Sequence, residues 1–172
     1  LLKAPVESPE EVASHYVNEQ VPDVKTALEG ARAILMEQFA EDAELIGVLR
    51  EKLWREGEVQ AQVLAGQEAA GEKFKDYFDH REWIGTMPSH RALAILRGRN
   101  EGILQVSLKY QADDTPITEQ SAYEKIIIQH FQIPDNRWLR DTVRLTWRAK
   151  IFLSLELEAF NRLKEAADTD AI

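Results

Sequence analysis

Residues Phe74–Leu108 read FKDYFDHREWIGTMPSHRALAILRGRNEGILQVSL. Helical spacing in the middle of this stretch gives way to alternation at its end, which makes it the fold-defining segment. Phe74, Tyr77 and Phe78 suit a short helix, and Gly85, Thr86 and Pro88 mark a turn. Pro88-Ser89 opens a further helix with the stripe Leu93, Ala94, Ile95 and Leu96, Ser89 as its starting hydroxyl and Gly98 as its stop. Ile103, Leu104, Val106 and Leu108 against Gln105, Ser107 and Lys109 predict a strand. A strand needs a partner. The segment Val59–Val63 alternates suitably, but Ala and Gln are poor strand formers, so it reads equally as irregular helix.

On the N-terminal side, Ser8, Pro9 and Glu11 form a helix-start signature. It predicts a helix to Val17 or Asn18 with Val12, His15 and Tyr16 inward, broken at Pro22. Asp23 caps a second helix with the stripe Val24, Ala27, Leu28, Ala31, Ile34 and Leu35. A third runs from Glu41 to Arg55, carries Leu45, Ile46, Val48, Leu49, Leu53 and Trp54, and ends at Gly57. Their closeness in sequence predicts an antiparallel hairpin.

On the C-terminal side, Asp113-Asp114-Thr115-Pro116 is a turn, followed by a helix to Phe131 with Ala122, Tyr123, Ile126, Ile127 and His130 inward. Pro134-Asp135 resets the chain. From Asn136 to Ala167 there is neither Pro nor Gly. That predicts one helix of about 32 residues and about 48 Å, packed through Leu139, Val143, Trp147, Ile151, Leu155 and Phe160. The expected fold is mainly α: one multi-helix domain over residues 1–172 with a long C-terminal spine helix and a small β element. Its parts are an acidic helical part (1–72), a mixed part with a short strand (73–134) and the long helix (135–172).

With 44% hydrophobic and 30% charged residues the chain is globular in composition. It has no cysteine, which excludes disulfides and thiolate metal sites and is compatible with a reducing compartment. No apolar run reaches the ~18 residues of a membrane span, and the N-terminus lacks a signal-peptide pattern. The absence of an initiator Met leads us to expect a piece of a longer protein. The net charge of −9 is uneven: residues 1–72 hold 15 acidic and 6 basic residues, whereas the remainder is balanced. Any attraction to phosphate must therefore come from a local basic face in residues 73–172, or from domains outside this stretch.

Ser89-His90-Arg91 suggests a nucleophile and base, but neighbours on a helix point about 100° apart, so capping and packing are the expected roles. The four histidines lack metal-ligand spacing, and His80 between Asp79 and Arg81 reads as a surface cluster. The acidic pairs Glu10-Glu11, Glu41-Asp42 and Asp113-Asp114 sit at helix starts and turns, where they complement helix dipoles. Gly98 to Gly102 matches no phosphate-loop motif. No catalytic residue, metal site or cofactor is expected. The basic faces remain. Arg91, Arg97 and Arg99 gather about one helix end, and Arg137, Arg140, Arg144 and Arg148 recur at intervals of three, four and four. Three readings stay open for the latter row: a solvated face with pairs such as Asp141 to Arg137 or Arg144, a contact with another domain, or a phosphate-tracking helix.

The Phe74–Phe78 helix, the Pro88-Ser89-His90-Arg91-Ala92-Leu93-Ala94 helix start and Arg97-Gly98-Arg99 before the strand resemble the bacterial Tex family, transcription accessory proteins related to a eukaryotic transcription elongation factor. The leading Ser8–Val12 helix start, the segment Leu53–Gly71 and the long final helix share the likeness. The resemblance implies a cytoplasmic, multidomain nucleic-acid-binding protein with an RNase-H-like domain, helix-hairpin-helix elements and an OB-fold RNA-binding barrel. This chain matches only the helical region ahead of the RNase-H-like domain, and no family catalytic residue can be carried onto it. The expected function is a non-enzymatic helical scaffold that acts in transcription, with Arg91, Arg97, Arg99, Arg137, Arg140, Arg144 and Arg148 as nucleic-acid or interdomain contacts. Its expected partners are nucleic acid, mainly through domains outside this stretch, transcription machinery and neighbouring domains, but no membrane. The alternative is a protein-interaction module whose acidic hairpin, Asp23–Glu56, docks a basic partner.

Overall fold

The computed structural model describes residues 24–111, 115–116 and 119–170. The expected first helix, the Asp23 cap and the Asp113-Asp114 turn lie outside them. The elements are α1 (Val24–Glu41), α2 (Ala43–Glu56), β1 (Glu58–Val63), a 3-10 turn (Glu72–Tyr77), β2 (Asp79–Trp83), a second 3-10 turn (Ile84–Thr86), α3 (Ser89–Asn100), β3 (Leu104–Lys109), α4 (Ala122–Phe131), α5 (Arg137–Thr146), a π turn (Trp147–Ile151) and α6 (Phe152–Asp170). The architecture is mainly α with a small antiparallel sheet, as the residue pattern predicts. The described residues fall into two compact units, one within Leu1–Leu49 and Pro116–Leu153, the other within Arg50–Thr115 and Ser154–Ile172.

In the first unit α1 packs on α5. Leu35 and Phe39 supply its buried residues, whereas Ile34, expected in the stripe, is 59% exposed. The expected α1–α2 hairpin does not form. Only Asp42 separates the two helices, and antiparallel helices need a link of about 2–5 residues. Asp42 serves instead as the α2 cap: its Oδ1 accepts the Leu45 N–H at 2.9 Å and lies 3.1 Å from His130 Nε2. The helix start and this contact hold the Asp42 carboxyl below its usual range, with the Leu45 amide the larger cause.

α4 begins with a capping box. Ser121 Oγ accepts the Glu124 N–H at 3.2 Å, and Glu124 Oε2 accepts the Ser121 N–H at 2.7 Å. Tyr123, Glu124 and Ile127 are its buried residues; Ala122, expected inward, is exposed. Gln132, left-handed at φ 52°, ends the helix.

The long helix starts at Arg137, one residue after its Asn136 cap, and continues through the π turn to Asp170. All six residues of its expected packing face are buried. Their near-regular step of four has a geometric consequence, since each such step in an α-helix overshoots one turn by about 40°. The wider π turn, closed by the Phe152 N–H on the Trp147 carbonyl, takes part of that drift back. Trp147 there is fully buried and stacks on Tyr123 at 4.6 Å between ring centres.

In the second unit the sheet order is β2-β1-β3. The Val59–Val63 segment is thus a strand, paired with the expected one in the register Val59↔Leu108 and Val63↔Leu104. Pairing on both sides overrides its weak strand propensity. Val59, Ala61, Leu104 and Leu108 are buried, as are Ala92, Ile95 and Leu96 of α3, which packs on β3. The face expected on α3 is shifted, leaving Leu93 and Ala94 half-buried. Two further expectations at α3 are corrected. Ser89 does not cap it; Pro88 occupies that position, and Ser89 Oγ donates to Asp170 Oδ2 at 2.6 Å. Gly98 does not stop it. The helix runs on to Asn100, and a Cβ on buried Gly98 would meet Leu104 Cδ1 at 2.5 Å, so Gly98 is a close-packing site. Gly102, at φ 75°, makes the turn into β3. From α6, Leu155, Ala159, Phe160, Leu163 and Ala167 are buried, and Glu156 Oε2 accepts the Leu108 N–H at 2.9 Å.

Candidate functional site

Arginines on an exposed helix face can act on a ligand only where tertiary contacts leave their guanidinium groups reachable. The seven candidate arginines fall into two sets, one in each unit.

In the second unit each is engaged within the fold. Arg91, on α3, grips Glu82 of β2 with Nε–Oε1 at 2.8 Å and Nη2–Oε2 at 3.0 Å. The same Glu82 Oε1 lies 2.9 Å from His80 Nε2, and Tyr77 meets the His80 ring edge-on at 5.4 Å. His80 therefore belongs to a partly buried ionic cluster, which corrects its reading as a surface residue. The Arg91 hydrogen bonds hold the Glu82 carboxyl below its ordinary range, and the His80 contact adds to this. Arg97 pairs with Glu101 at 2.8 Å, one turn along the chain, and Lys73 reaches the same carboxylate at 3.0 Å. These two cations depress the Glu101 pKa, Lys73 first. Arg99 lies over the Phe160 ring at 5.5 Å.

In the first unit the arginines of α5 come together. Arg137, Arg140 and Arg144, with Lys125 from α4, line an open cleft of about 550 Å³, joined by Glu119, Gln120 and Asp141. The Asn136 cap, whose Oδ1 accepts the Leu139 N–H at 3.1 Å, fixes where α5 begins and so which face carries the arginines. Arg137 is exposed and forms no ion pair among the described residues. Arg140 Nη1 lies 3.1 Å from Asp135 Oδ1, whose side chain is 86% exposed. Arg144 lies between Asp141, 3.6 Å away, and Glu124, 3.8 Å away. Arg148, in the π turn, is half-buried and is not among the described lining residues.

Lys125 is the cleft residue that sequence reading missed. On a helix read only for its apolar face, one exposed lysine carries no signal until the fold sets it beside α5. Chemically the cleft offers cations to an anion: its lining holds four cations and the carboxylates Glu119 and Asp141, while Asp135 and Glu124 pair with Arg140 and Arg144 from beside it. Its described lining has no aromatic side chain, so it offers charge and hydrogen-bond donors but no stacking surface.

Among the described residues no group of three or more His, Asp or Glu could hold a metal ion. No helix among them is long and apolar enough to cross a membrane.

A family model described as Tex central region-like matches residues 4–172. The chain is 70% identical over 170 residues to the transcriptional accessory protein Tex of Neisseria gonorrhoeae, covering 96% of this chain and 22% of that protein. It is 45% identical over 177 residues to protein YhgF of Escherichia coli, covering 98% of this chain and 23% of the relative. Identity to protein tex of Bordetella pertussis is 38% over 183 residues, covering 100% and 23%. The chain thus spans less than a quarter of the length of these relatives.

Proposed function

The chain belongs to the Tex central region-like family, and from that premise we propose that it is the non-enzymatic helical scaffold of a transcription accessory protein, with a cleft on its first unit that grips nucleic-acid phosphates. The observation that carries this reading is the gathering of Arg137, Arg140, Arg144 and Lys125 about one cleft in a chain whose net charge is −9. An acidic chain has no general attraction for nucleic acid, so a local cationic cleft is where such contact would arise. The lining favours contact with the sugar-phosphate backbone over the reading of bases, and so binding that tolerates many sequences. Arg91, Arg97 and Arg99 act in this reading as structural residues of the second unit.

A role in transcription is supported by the name of the gonococcal relative. Action in the cytoplasm, alongside neighbouring domains of a longer polypeptide and the transcription machinery, belongs to the same proposal. The alternative, in which the acidic stretch Asp23–Glu56 docks a basic partner, has less support, since its described helices α1 and α2 do not pack as the expected hairpin.

The test is a salt titration of binding to labelled single-stranded RNA and duplex DNA, from about 50 to about 200 mM salt. Wild-type protein is expected to bind with an affinity that falls steeply with salt. Arg137→Ala/Arg140→Ala, which changes two exposed side chains, should bind more weakly with a flatter slope. Equal binding by wild type and variant at low salt would reject the cleft as a phosphate site.

A further inference from the structure

We propose that Glu124 is the built-in counter-charge of the arginine cleft, holding back Arg144 and setting how tightly the cleft takes a phosphate. This rests on the cleft being a phosphate site. Three carboxylates pair with its arginines, and they differ in burial. Asp135, beside Arg140, is 86% exposed, and Asp141, beside Arg144, is 42% exposed; the Glu124 side chain is 2% exposed. An exposed acid is screened by salt and swings away when a phosphate arrives. Glu124 cannot. Its Oε2 is fixed by the Ser121 N–H at 2.7 Å, and Oε1 faces Arg144 Nε at 3.8 Å. Low dielectric makes that attraction stronger and less screened than one at the surface. Arg144 therefore meets a ligand with much of its charge already compensated, while Arg137 has no ion pair among the described residues. The capping box explains how a carboxylate comes to be buried at this point: the position that closes the start of α4 also points at α5.

The experiment uses an oligouridylate RNA and the salt dependence of its binding. Glu124→Gln is the informative variant, because glutamine serves equally in a capping box and keeps the shape. It is expected to bind the RNA more tightly than wild type, with a slope of log affinity against log salt steeper by about 0.7, the increment of one further phosphate contact on a single strand. Asp141→Asn should shift the slope far less. Should Glu124→Gln fail to fold, Glu124→Gln/Arg144→Gln removes both charges of the pair together. It is then expected to flatten the slope less than Arg137→Gln alone.

A folded Glu124→Gln protein with unchanged or weaker binding would overturn the counter-charge role while leaving the cleft in place. So would a double variant that flattens the slope as much as Arg137→Gln. If Arg137→Ala/Arg140→Ala binds as well as wild type, the cleft reading falls and the role of Glu124 falls with it.

Discussion

Arg91 and Glu82 form a two-point pair, Nε–Oε1 at 2.8 Å and Nη2–Oε2 at 3.0 Å, that ties the edge strand β2 to α3. β2 needs such a tie. Its sequence, Asp79-His80-Arg81-Glu82-Trp83, has no apolar residue apart from Trp83, which is 61% exposed. Hydrogen bonds to β1 and this pair hold it in place.

The pair makes the stability of the second unit sensitive to acid. Arg91 lowers the Glu82 pKa from its ordinary 4.5, opposed by burial and aided by His80. A carboxyl depressed in the folded state stabilises the fold above its unfolded value and loses that contribution as pH falls through the folded one. Thermal unfolding should therefore show an acid limb beginning below pH 4.5. Glu82→Gln is expected to lower the midpoint by several degrees at neutral pH and to flatten that limb. An acid limb identical to wild type would contradict this role for the pair.

Two helical glycines should respond oppositely to alanine. At Gly98 a Cβ would lie 2.5 Å from Leu104 Cδ1 and 2.8 Å from Leu104 Cγ, and Leu104 is itself buried. Overpacking costs about 1–3 kcal/mol, more than the ~1 kcal/mol that helix propensity returns. Gly98→Ala is therefore expected to destabilise by about 1 kcal/mol net. At Gly47, in α2, nothing lies within 4 Å, and Gly47→Ala should stabilise by about 0.5–1 kcal/mol. Urea unfolding of the two variants measures both.

Trp147 closes the core of the first unit at the π turn, fully buried and nearly parallel to Tyr123 at an interplanar angle of 8°. Trp147→Ala should cost about 3–5 kcal/mol. Trp147→Phe keeps an aromatic ring there and should cost much less. Near-ultraviolet circular dichroism should lose intensity in the alanine variant before far-ultraviolet helicity does.

The cleft and the second-unit arginines separate by assay. Arg137→Ala/Arg140→Ala should flatten the salt dependence of duplex DNA binding by up to about 2, since each lost phosphate contact removes about 0.9, with little change in melting temperature. Arg91→Ala should do the reverse, lowering the melting temperature and leaving the slope unchanged. If the two variants fail to separate in this way, the division of roles is wrong.

Much of the fold is legible in the residues because helical packing is local and periodic. Leu139, Val143, Trp147, Ile151, Leu155 and Phe160 announce their shared face by spacing alone, and all six are buried. The alternation of Leu104, Val106 and Leu108 announces a strand in the same way. The family is legible too, in the length of the Phe74–Leu108 pattern.

What only the tertiary structure decided depends on residues far apart in the chain. β2 has no apolar alternation, so it becomes a strand because β1 and Arg91 hold it. Glu124 has the composition of a surface residue and is buried because α4 must close its own first turn beside α5. Of seven arginines with the same side-chain chemistry, Arg91, Arg97 and Arg99 make ion pairs and a ring contact in one unit, Arg137, Arg140 and Arg144 line a cleft in the other, and Arg148 lies half-buried in the π turn. Charge is written in the sequence, but its availability is set by the partner that folding brings within about 4 Å.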